Sequence, residues 1–172
     1  MITTVIGSYP KPSYLLVPDW FKAESGTDTV NPTADYLDAI IKMGDEKETI
    51  FLKSTKEVIQ DQIECGIDIV TDGEVRRENY IHYHCRHIQG IDFNHLTKKV
   101  ARTGNYECYL PTIINKVEAK DPFLVNEWLA AQKLSSKPVK VTLPGPMTIT
   151  DTVANDYYTS NNQLGNDLAN VI

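Results

Sequence analysis

Apolar residues along this chain fall into short β-prone runs separated by longer helical patterns, and this order predicts an α/β protein. The run TTVIG stops at Gly7 and predicts a first strand. IDIVTDGE is apolar and β-branched with little alternation, which is typical of a strand buried on both faces of a parallel sheet. KPVKVTLPGP predicts a third strand that ends in a Pro-Gly-Pro turn.

Helical patterns separate these runs. GDEKETIFLKSTKEVIQDQIECG carries acids in its first turn, places Phe51, Val58 and Ile59 on one apolar stripe, and meets Gly66 where a helix needs a left-handed cap. Shorter helices are predicted after Asn31-Pro32, after Asp121-Pro122 and from Met147 to Ile172. The result is three strand-to-helix units, whose strands need parallel neighbours that either a longer protein or a second copy of the chain supplies.

The stretch from Tyr80 to Val117 has a different pattern. Polar and apolar residues alternate there, and Gly90 and Gly104 provide turn points. This alternation favours an antiparallel β-hairpin inserted after the second strand.

Length and composition narrow the possibilities. With 172 residues and 41% hydrophobic residues, the chain is expected to form a single domain spanning residues 1–172. A net charge of -6 without a basic cluster makes a nucleic-acid partner unexpected. Because we see no membrane-spanning run and no signal peptide, we expect no membrane partner and a cytoplasmic location. The 3 cysteines are widely spaced and are expected to be reduced thiols.

The segment YIHYHCRH holds three of the 4 histidines and is a candidate metal site. In an extended strand, His82 and His84 share one face, while Tyr83, Cys85 and His87 share the other. Neither face offers the four ligands that a structural zinc site usually takes. We therefore favour a polar hairpin over a metal site.

Three strand ends carry candidate features of a ligand-binding site, and the third is the stiff Pro144-Gly145-Pro146 turn after the third strand. Glu74 follows the second strand and is placed to hold an amine, while the backbone of Gly7 and Ser8 follows the first strand and is placed to hold an anion. Alternatively, Asp72 caps a turn and Glu74 pairs with Arg76 or Arg77 on the surface. Because these groups stand at the ends of successive strands, we expect a pocket for an amino acid.

Taken together, TTVIGSYPKP, CGIDIVTDGEVRRENYIHYHCRHIQGIDF and KPVKVTLPGPMTI resemble the first part of the catalytic domain of cobalamin-independent methionine synthase, with the shorter single-barrel, methionine synthase II-like proteins as the nearest relatives. The resemblance implies a partial (β/α)8 TIM barrel, comprising the first three or so βα units with the hairpin insertion. It also implies transfer of a methyl group from a methyltetrahydrofolate-type donor to the thiol of homocysteine or a related thiol.

By this resemblance, the backbone of Ile6, Gly7 and Ser8 holds the amino-acid carboxylate and Glu74 holds the ammonium. Zinc activates the thiol in the family, but its ligands lie in the later half of the barrel. We therefore expect neither a metal ligand nor a catalytic residue in this chain. Glu107 and Cys108 stand where the family has an Arg-Cys pair, and Thr152 stands where a tryptophan is expected. All three are possible donor-binding positions, and their identities weaken the case for a folate polyglutamate.

Two functions from different classes follow. The first is the N-terminal portion of a zinc-dependent methyltransferase, inactive when alone. The second is a non-catalytic module that dimerises and binds an amino acid or thiol at the Gly7, Ser8 and Glu74 pocket. A corrinoid or coenzyme methyltransferase of the uroporphyrinogen decarboxylase-like branch is a weaker alternative. A homodimer or the remainder of a longer chain is the expected partner.

Overall fold

The computed structural model describes the backbone of residues 1–19, 21–22, 32–101 and 106–172, with side chains except at 32–33, 100–101 and 106–108. The elements, in chain order, are α1 (Pro32–Met43), a 3-10 turn (Gly44–Glu46), α2 (Lys47–Glu64), β1 (Val70–Thr71), α3 (Tyr80–Cys85), β2 (Ile88–Ala101), β3 (Tyr106–Ala119), α4 (Phe123–Lys133), β4 (Val139–Lys140), α5 (Pro146–Thr152), β5 (Ala154–Asn155) and α6 (Asn161–Val171). The predicted α/β class is confirmed.

The chain forms two compact units. The first comprises Met1–Thr27, Ala34–Glu78 and Phe123–Thr142. The second comprises Asp28–Thr33, Asn79–Pro122 and Leu143–Ile172.

The first unit contains a short parallel sheet. Thr4 forms a parallel bridge with Ile69, and β1 pairs in parallel with β4, so three successive chain segments lie side by side. Parallel neighbours need crossover connections, and α2 and α4 precede β1 and β4 in that role. The predicted parallel pairing of these segments is confirmed, although the first predicted strand is reduced to a single bridge.

Helix α2 provides much of the apolar packing in this unit. It was predicted from its apolar stripe and its end at Gly66, which has a φ of 81°. Ile59 packs with Val70 of β1, Ala131 of α4 and Val139 of β4, while Phe51 and Val58 belong to a second cluster. These contacts hold the carboxyl end of β1 firmly on the helix layer.

The second unit is built around the predicted hairpin. Strands β2 and β3 pair antiparallel, and β3 also pairs in parallel with the short β5. Ile113 and Val117 of β3 pack against Leu164 and Leu168 of α6 in its core. The hairpin lies between β1 and α4 in the chain, as predicted.

The segment Tyr80–Cys85 is a helix, so the predicted extended strand with two histidine faces is wrong. Asn79 caps this helix, because its side-chain oxygen accepts hydrogen bonds from the amides of Ile81 at 2.9 Å and His82 at 3.0 Å. Residues 81–85 are all buried. The alternation of residue types therefore does not correspond to alternating faces.

One of the two predicted turn positions also changes. Gly90 lies inside β2 at a register shift rather than at a turn; its φ is 87°, and an added Cβ would stand 2.4 Å from the Lys116 carbonyl oxygen. Gly104 lies outside the described residues. The helical segment predicted from Met147 onwards is interrupted by β5 between α5 and α6. Among the helices described, none is long and apolar enough to cross a membrane.

Candidate ligand-binding site

Glu74 occupies a strained turn directly after β1. Its φ is 54°, and it is the only residue other than glycine with a positive φ in the described part of the chain. It follows Gly73, whose φ is 68°. A left-handed backbone is unfavourable for a residue with a Cβ and persists where surrounding contacts enforce it, often at functional sites. The turn therefore holds the Glu74 carboxylate in a defined place.

Two side chains bind that carboxylate. The Thr142 hydroxyl donates to Glu74 Oε1 at 2.5 Å, and Arg77 Nη1 lies 3.7 Å from the same oxygen. Arg77 Nη1 also donates to Thr142 Oγ1 at 2.7 Å and to the Thr142 carbonyl at 3.1 Å. Arg77 is buried, with 2% of its surface exposed. It acts as a positioning residue for Glu74 and for the loop after β4.

The alternative prediction for Asp72 and Glu74, a turn cap and a surface ion pair, is only partly correct. Asp72 does cap the turn, because its Oδ1 accepts the Glu74 amide at 3.1 Å. Glu74 does face Arg77, but this pair is buried rather than on the surface. Arg76 turns elsewhere and donates to Glu48 Oε2 at 2.9 Å. Glu74 is 8% exposed, so its charge lies in a largely desolvated position.

Gly7 approaches Glu74 so closely that any larger residue would have to displace the Glu74 carboxylate and the Thr142 side chain. A Cβ added at Gly7 would stand 2.5 Å from Glu74 Oε1 and 2.6 Å from Thr142 Cγ2. The loop is tied to the Glu74 turn, since Thr71 Oγ1 donates to the Gly7 carbonyl at 2.8 Å and the Tyr9 amide donates to the Gly73 carbonyl at 3.1 Å. The structure thus brings the two predicted motifs together.

The loop from Ile6 to Ser8 retains unused donors. Among the described residues, the amides of Gly7 and Ser8 find no hydrogen-bond acceptor, although Gly7 is buried. The side chain of Ile6 is 93% exposed, so only its backbone is available for a role at the site. Successive backbone amides of this kind can bind an anion.

Gln62 of α2 fixes the end of β1. Its side-chain oxygen accepts the Thr71 amide at 2.8 Å, and its amide nitrogen donates to the carbonyls of Thr71 and Val58, each at 3.0 Å. Gln62 is fully buried. Gln62 thus supplies hydrogen-bond partners for both backbone groups of Thr71, which helps a two-residue strand to end in a well-defined turn.

Lys11 adds a buried cation to this unit. Only 5% of the residue is exposed, and burial lowers the pKa of its ammonium, against the attraction of the Asp19, Glu74 and Glu78 carboxylates. The buried charged residues here are Lys11, Asp72, Glu74, Arg77 and Glu78. Three carboxylates and two cations are therefore buried in this unit.

The predicted donor-binding residues belong to the second unit. Glu107 and Cys108 lie in β3, paired in register with Val100 and Lys99, but their side chains lie outside the described residues. Thr152 ends α5, and its hydroxyl donates to the Thr148 carbonyl at 2.6 Å. That hydroxyl is thus already used within its own helix.

The histidine segment also lies in the second unit. His84 Nδ1 is 2.6 Å from the Tyr80 carbonyl, and His87 Nδ1 is 3.0 Å from Asp121 Oδ1. Burial lowers the pKa of His82 to about 4, against the effect of a hydrogen bond with the Thr152 backbone. In the part of the chain that the structure describes, no three His, Cys, Asp or Glu side chains are grouped to hold a metal ion.

Sequence reasoning missed Lys11, Gln62 and Thr142, and it placed Arg77 on the surface. Thr142 could have been found, because it follows the third strand by the rule that selected Glu74 after the second. Lys11, between two prolines, carries no pattern that predicts burial. Gln62 lies beside Ile63 on a helix and looks like an ordinary polar residue.

Sequence comparisons show the family to which the chain belongs. The profile of the family described as the cobalamin-independent synthase catalytic domain matches residues 1–171. The methionine synthase of Saccharolobus solfataricus is 33% identical over 171 residues, which cover 99% of this chain and 46% of that protein. The methionine synthase of Sulfurisphaera tokodaii is 34% identical, with 99% and 45% covered. The chain spans about half the length of these relatives.

Solved structures of B12-independent methionine synthases also match this chain. A B12-independent methionine synthase from a Shewanella species, in complex with selenomethionine, matches with a TM-score of 0.79 and 29% identity. The match covers 98% of this chain and 45% of that one. A putative vitamin-B12-independent methionine synthase from Listeria monocytogenes, with a TM-score of 0.64 and 15% identity, shares the fold.

Proposed function

Because this chain belongs to the family of cobalamin-independent methionine synthase catalytic domains, we propose that it binds the amino-acid substrate of a thiol methyltransferase. The substrate is homocysteine or a related thiol amino acid, and its sulfur receives a methyl group from a methyltetrahydrofolate-type donor. The site comprises the backbone of Ile6, Gly7 and Ser8 and the side chain of Glu74. Residues 1–172 then form an incomplete TIM barrel.

One observation carries this proposal. Glu74 is buried, has a left-handed backbone and keeps its carboxylate against Thr142 and the Gly7 backbone. A solvated surface acid needs none of these constraints, whereas a carboxylate that must meet a ligand's ammonium in a desolvated place needs all of them.

The carboxylate of the amino acid fits the opposite side of the site. The Gly7 and Ser8 amides are free to donate to an anion, and Gly7 leaves room for a close approach to its backbone. Support for an amino-acid ligand also comes from the Shewanella relative, whose structure holds selenomethionine, an analogue of the methylated product. Glu74 and this loop together recognise the two charges of a zwitterion.

Zinc does not fit the described part of this chain, because no suitable group of three ligand side chains is present there. We therefore assign no chemical step to a metal here. Since the relatives are about twice as long, we propose that these residues bind and orient the amino acid without turnover on their own. By resemblance to the family, Glu107, Cys108 and Thr152 are proposed to lie where the methyl donor binds. The proposed location of the protein is the cytoplasm.

Isothermal titration of the 172-residue chain with L-homocysteine and L-methionine tests the proposal. We expect binding that does not depend on added zinc. Glu74→Gln should weaken it by about 2–4 kcal/mol, because a charged partner is lost from a desolvated site. Glu64→Gln, the same change at an exposed residue of α2, is the control and should bind like the wild type. Absence of binding in the folded wild-type chain would contradict the proposal.

A further inference from the structure

The outer edge of β4 carries no further strand in the described part of the chain, where β4 pairs with β1 alone. Val70 of β1 stands in register with Val139, and its amide donates to the Pro138 carbonyl at 3.1 Å. Because the backbone groups of successive residues point to opposite edges of a strand, those of Val139 point away from β1. Backbone groups at a strand edge, when left open, are a template for pairing with another chain.

Two side chains of α4 occupy these backbone groups. Gln132 Oε1 accepts the Val139 amide at 3.0 Å, and Trp128 Nε1 donates to the Val139 carbonyl at 2.9 Å. The Gln132 side chain is itself held in place, since its Nε2 donates to the Lys137 carbonyl at 3.0 Å. Val139 is only 8% exposed. The chain's own helix thus fills the hydrogen-bonding positions that a neighbouring strand would take at Val139.

A glutamine binds the backbone of the neighbouring strand in a similar manner. Gln62 accepts the Thr71 amide and donates to the Thr71 carbonyl, as described above. Gln62 and Gln132 both lie in the last turn of the helix that precedes their strand, since α2 ends at Glu64 and α4 ends at Lys133. The contact at Val139 is therefore one of two similar arrangements in this sheet.

We propose that Trp128 and Gln132 shield the outer edge of β4 and thereby prevent a second copy of this chain from pairing with it. A second copy presents the same edge, and two identical strands related by a twofold axis form a self-complementary contact. A strand that pairs with Val139 must first break both of its bonds to α4. This inference does not depend on the proposed function. It argues against a dimer formed through β4, which the sequence alone left open.

Removing the shield should cause self-association. Trp128→Phe removes the indole N–H and keeps an aromatic ring, while Gln132→Met removes the amide and keeps a side chain of similar length. In sedimentation experiments over a range of concentrations, the double variant should dimerise at least roughly tenfold more tightly than the wild type. Gln60→Met, at an exposed position of α2, is the control and should sediment like the wild type.

Hydrogen exchange at the Val139 amide identifies the edge that pairs. In the wild type, Gln132 protects this amide at every protein concentration. In the double variant, the amide should exchange rapidly in dilute solution and become protected again in concentrated solution, because a paired strand then supplies an acceptor. Association through exposed apolar surface alone would leave this amide unprotected.

Three results would overturn the proposal: a folded double variant that stays monomeric, one that associates without renewed protection of the Val139 amide, or a wild type that dimerises as tightly as the variant. Thermal unfolding checks that the fold is retained. If the double variant is unfolded, Trp128→Phe and Gln132→Met are compared singly by the same measurements. Each should associate more tightly than the wild type, and association equal to the wild type in both would also overturn the proposal.

Discussion

The Thr142 hydroxyl donates a hydrogen bond to Glu74 Oε1 at 2.5 Å, although the two residues are 68 positions apart in the chain. This bond joins the segments that follow two adjacent parallel strands, β1 and β4. It also places Arg77 between them, within 2.7 Å of the Thr142 hydroxyl. Thr142→Val removes the hydroxyl and keeps the shape of the side chain.

We expect Thr142→Val to lower the free energy of unfolding by about 1–3 kcal/mol, because a buried carboxylate and a buried guanidinium each lose a partner. L-Methionine affinity should fall as well. Urea denaturation and calorimetric titration measure the two effects. Thr152→Val is the control, since its hydroxyl bonds only to carbonyls of its own helix. Equal stability of the two variants would contradict the structural role of Thr142.

Gly7→Ala should displace the Glu74 carboxylate. The new Cβ would stand 2.5 Å from Glu74 Oε1 and 2.6 Å from Thr142 Cγ2. We expect a destabilisation of about 1–3 kcal/mol from overpacking, together with at least a tenfold loss of ligand affinity, roughly 1.4 kcal/mol. Thermal unfolding and titration calorimetry check both.

Gly165→Ala provides the matched control. An added Cβ meets nothing within 4 Å there, and Gly165 lies inside helix α6. Because alanine is the better helix former, this variant should gain about 0.5–1 kcal/mol of stability and leave ligand binding unchanged. A stable, fully binding Gly7→Ala variant would mean that the loop and Glu74 are not in contact.

Gln62→Leu should destabilise the chain by about 2–4 kcal/mol, since the amide and carbonyl of Thr71 lose their partners in a buried environment. Gln60→Leu, the same change at an exposed position of the same helix, should cost less than about 0.5 kcal/mol. Chemical denaturation gives both values. Hydrogen exchange at the Thr71 amide should be faster in Gln62→Leu alone.

His82 should make stability depend on pH under mildly acidic conditions. Burial lowers its pKa from 6.5 to about 4, with the charge of Arg86 as a smaller contribution. The unfolded chain binds a proton at this histidine below pH 6.5, while the folded chain resists protonation until about pH 4. The contribution of His82 to the free energy of unfolding is therefore fully present above pH 6.5. It falls as the pH decreases from 6.5 to about 4, by up to about 1.4 kcal/mol per pH unit.

Unfolding free energies measured across this pH range test whether stability falls with decreasing pH and whether His82 causes that fall. His82→Gln should lack this part of the slope. His95→Gln is the control, because the side chain of His95 is 59% exposed, and it should retain the wild-type slope. A wild-type chain equally stable at both ends of the window would contradict the burial of His82.

Local sequence patterns were sufficient for much of the fold. Helix α2 was predictable because its apolar stripe, first-turn acids and glycine cap agree with one another. Its packing then merely reinforces a local preference. The segment Tyr80–Cys85 shows the limit of such patterns, since the cap at Asn79 and burial of residues 81–85 override the alternation of residue types.

By itself, the sequence determined the α/β class, the order of the three parallel segments, the hairpin insertion and the motifs that hold Gly7, Ser8 and Glu74. These features follow from local periodicity and from the rule that ligands meet the carboxyl ends of parallel strands. Only the tertiary structure decided that Thr142 and Arg77 bind the Glu74 carboxylate, that Gln62 completes β1 and that Lys11 is buried. Such contacts join residues far apart in the chain, and a polar side chain's burial depends on what folds over it.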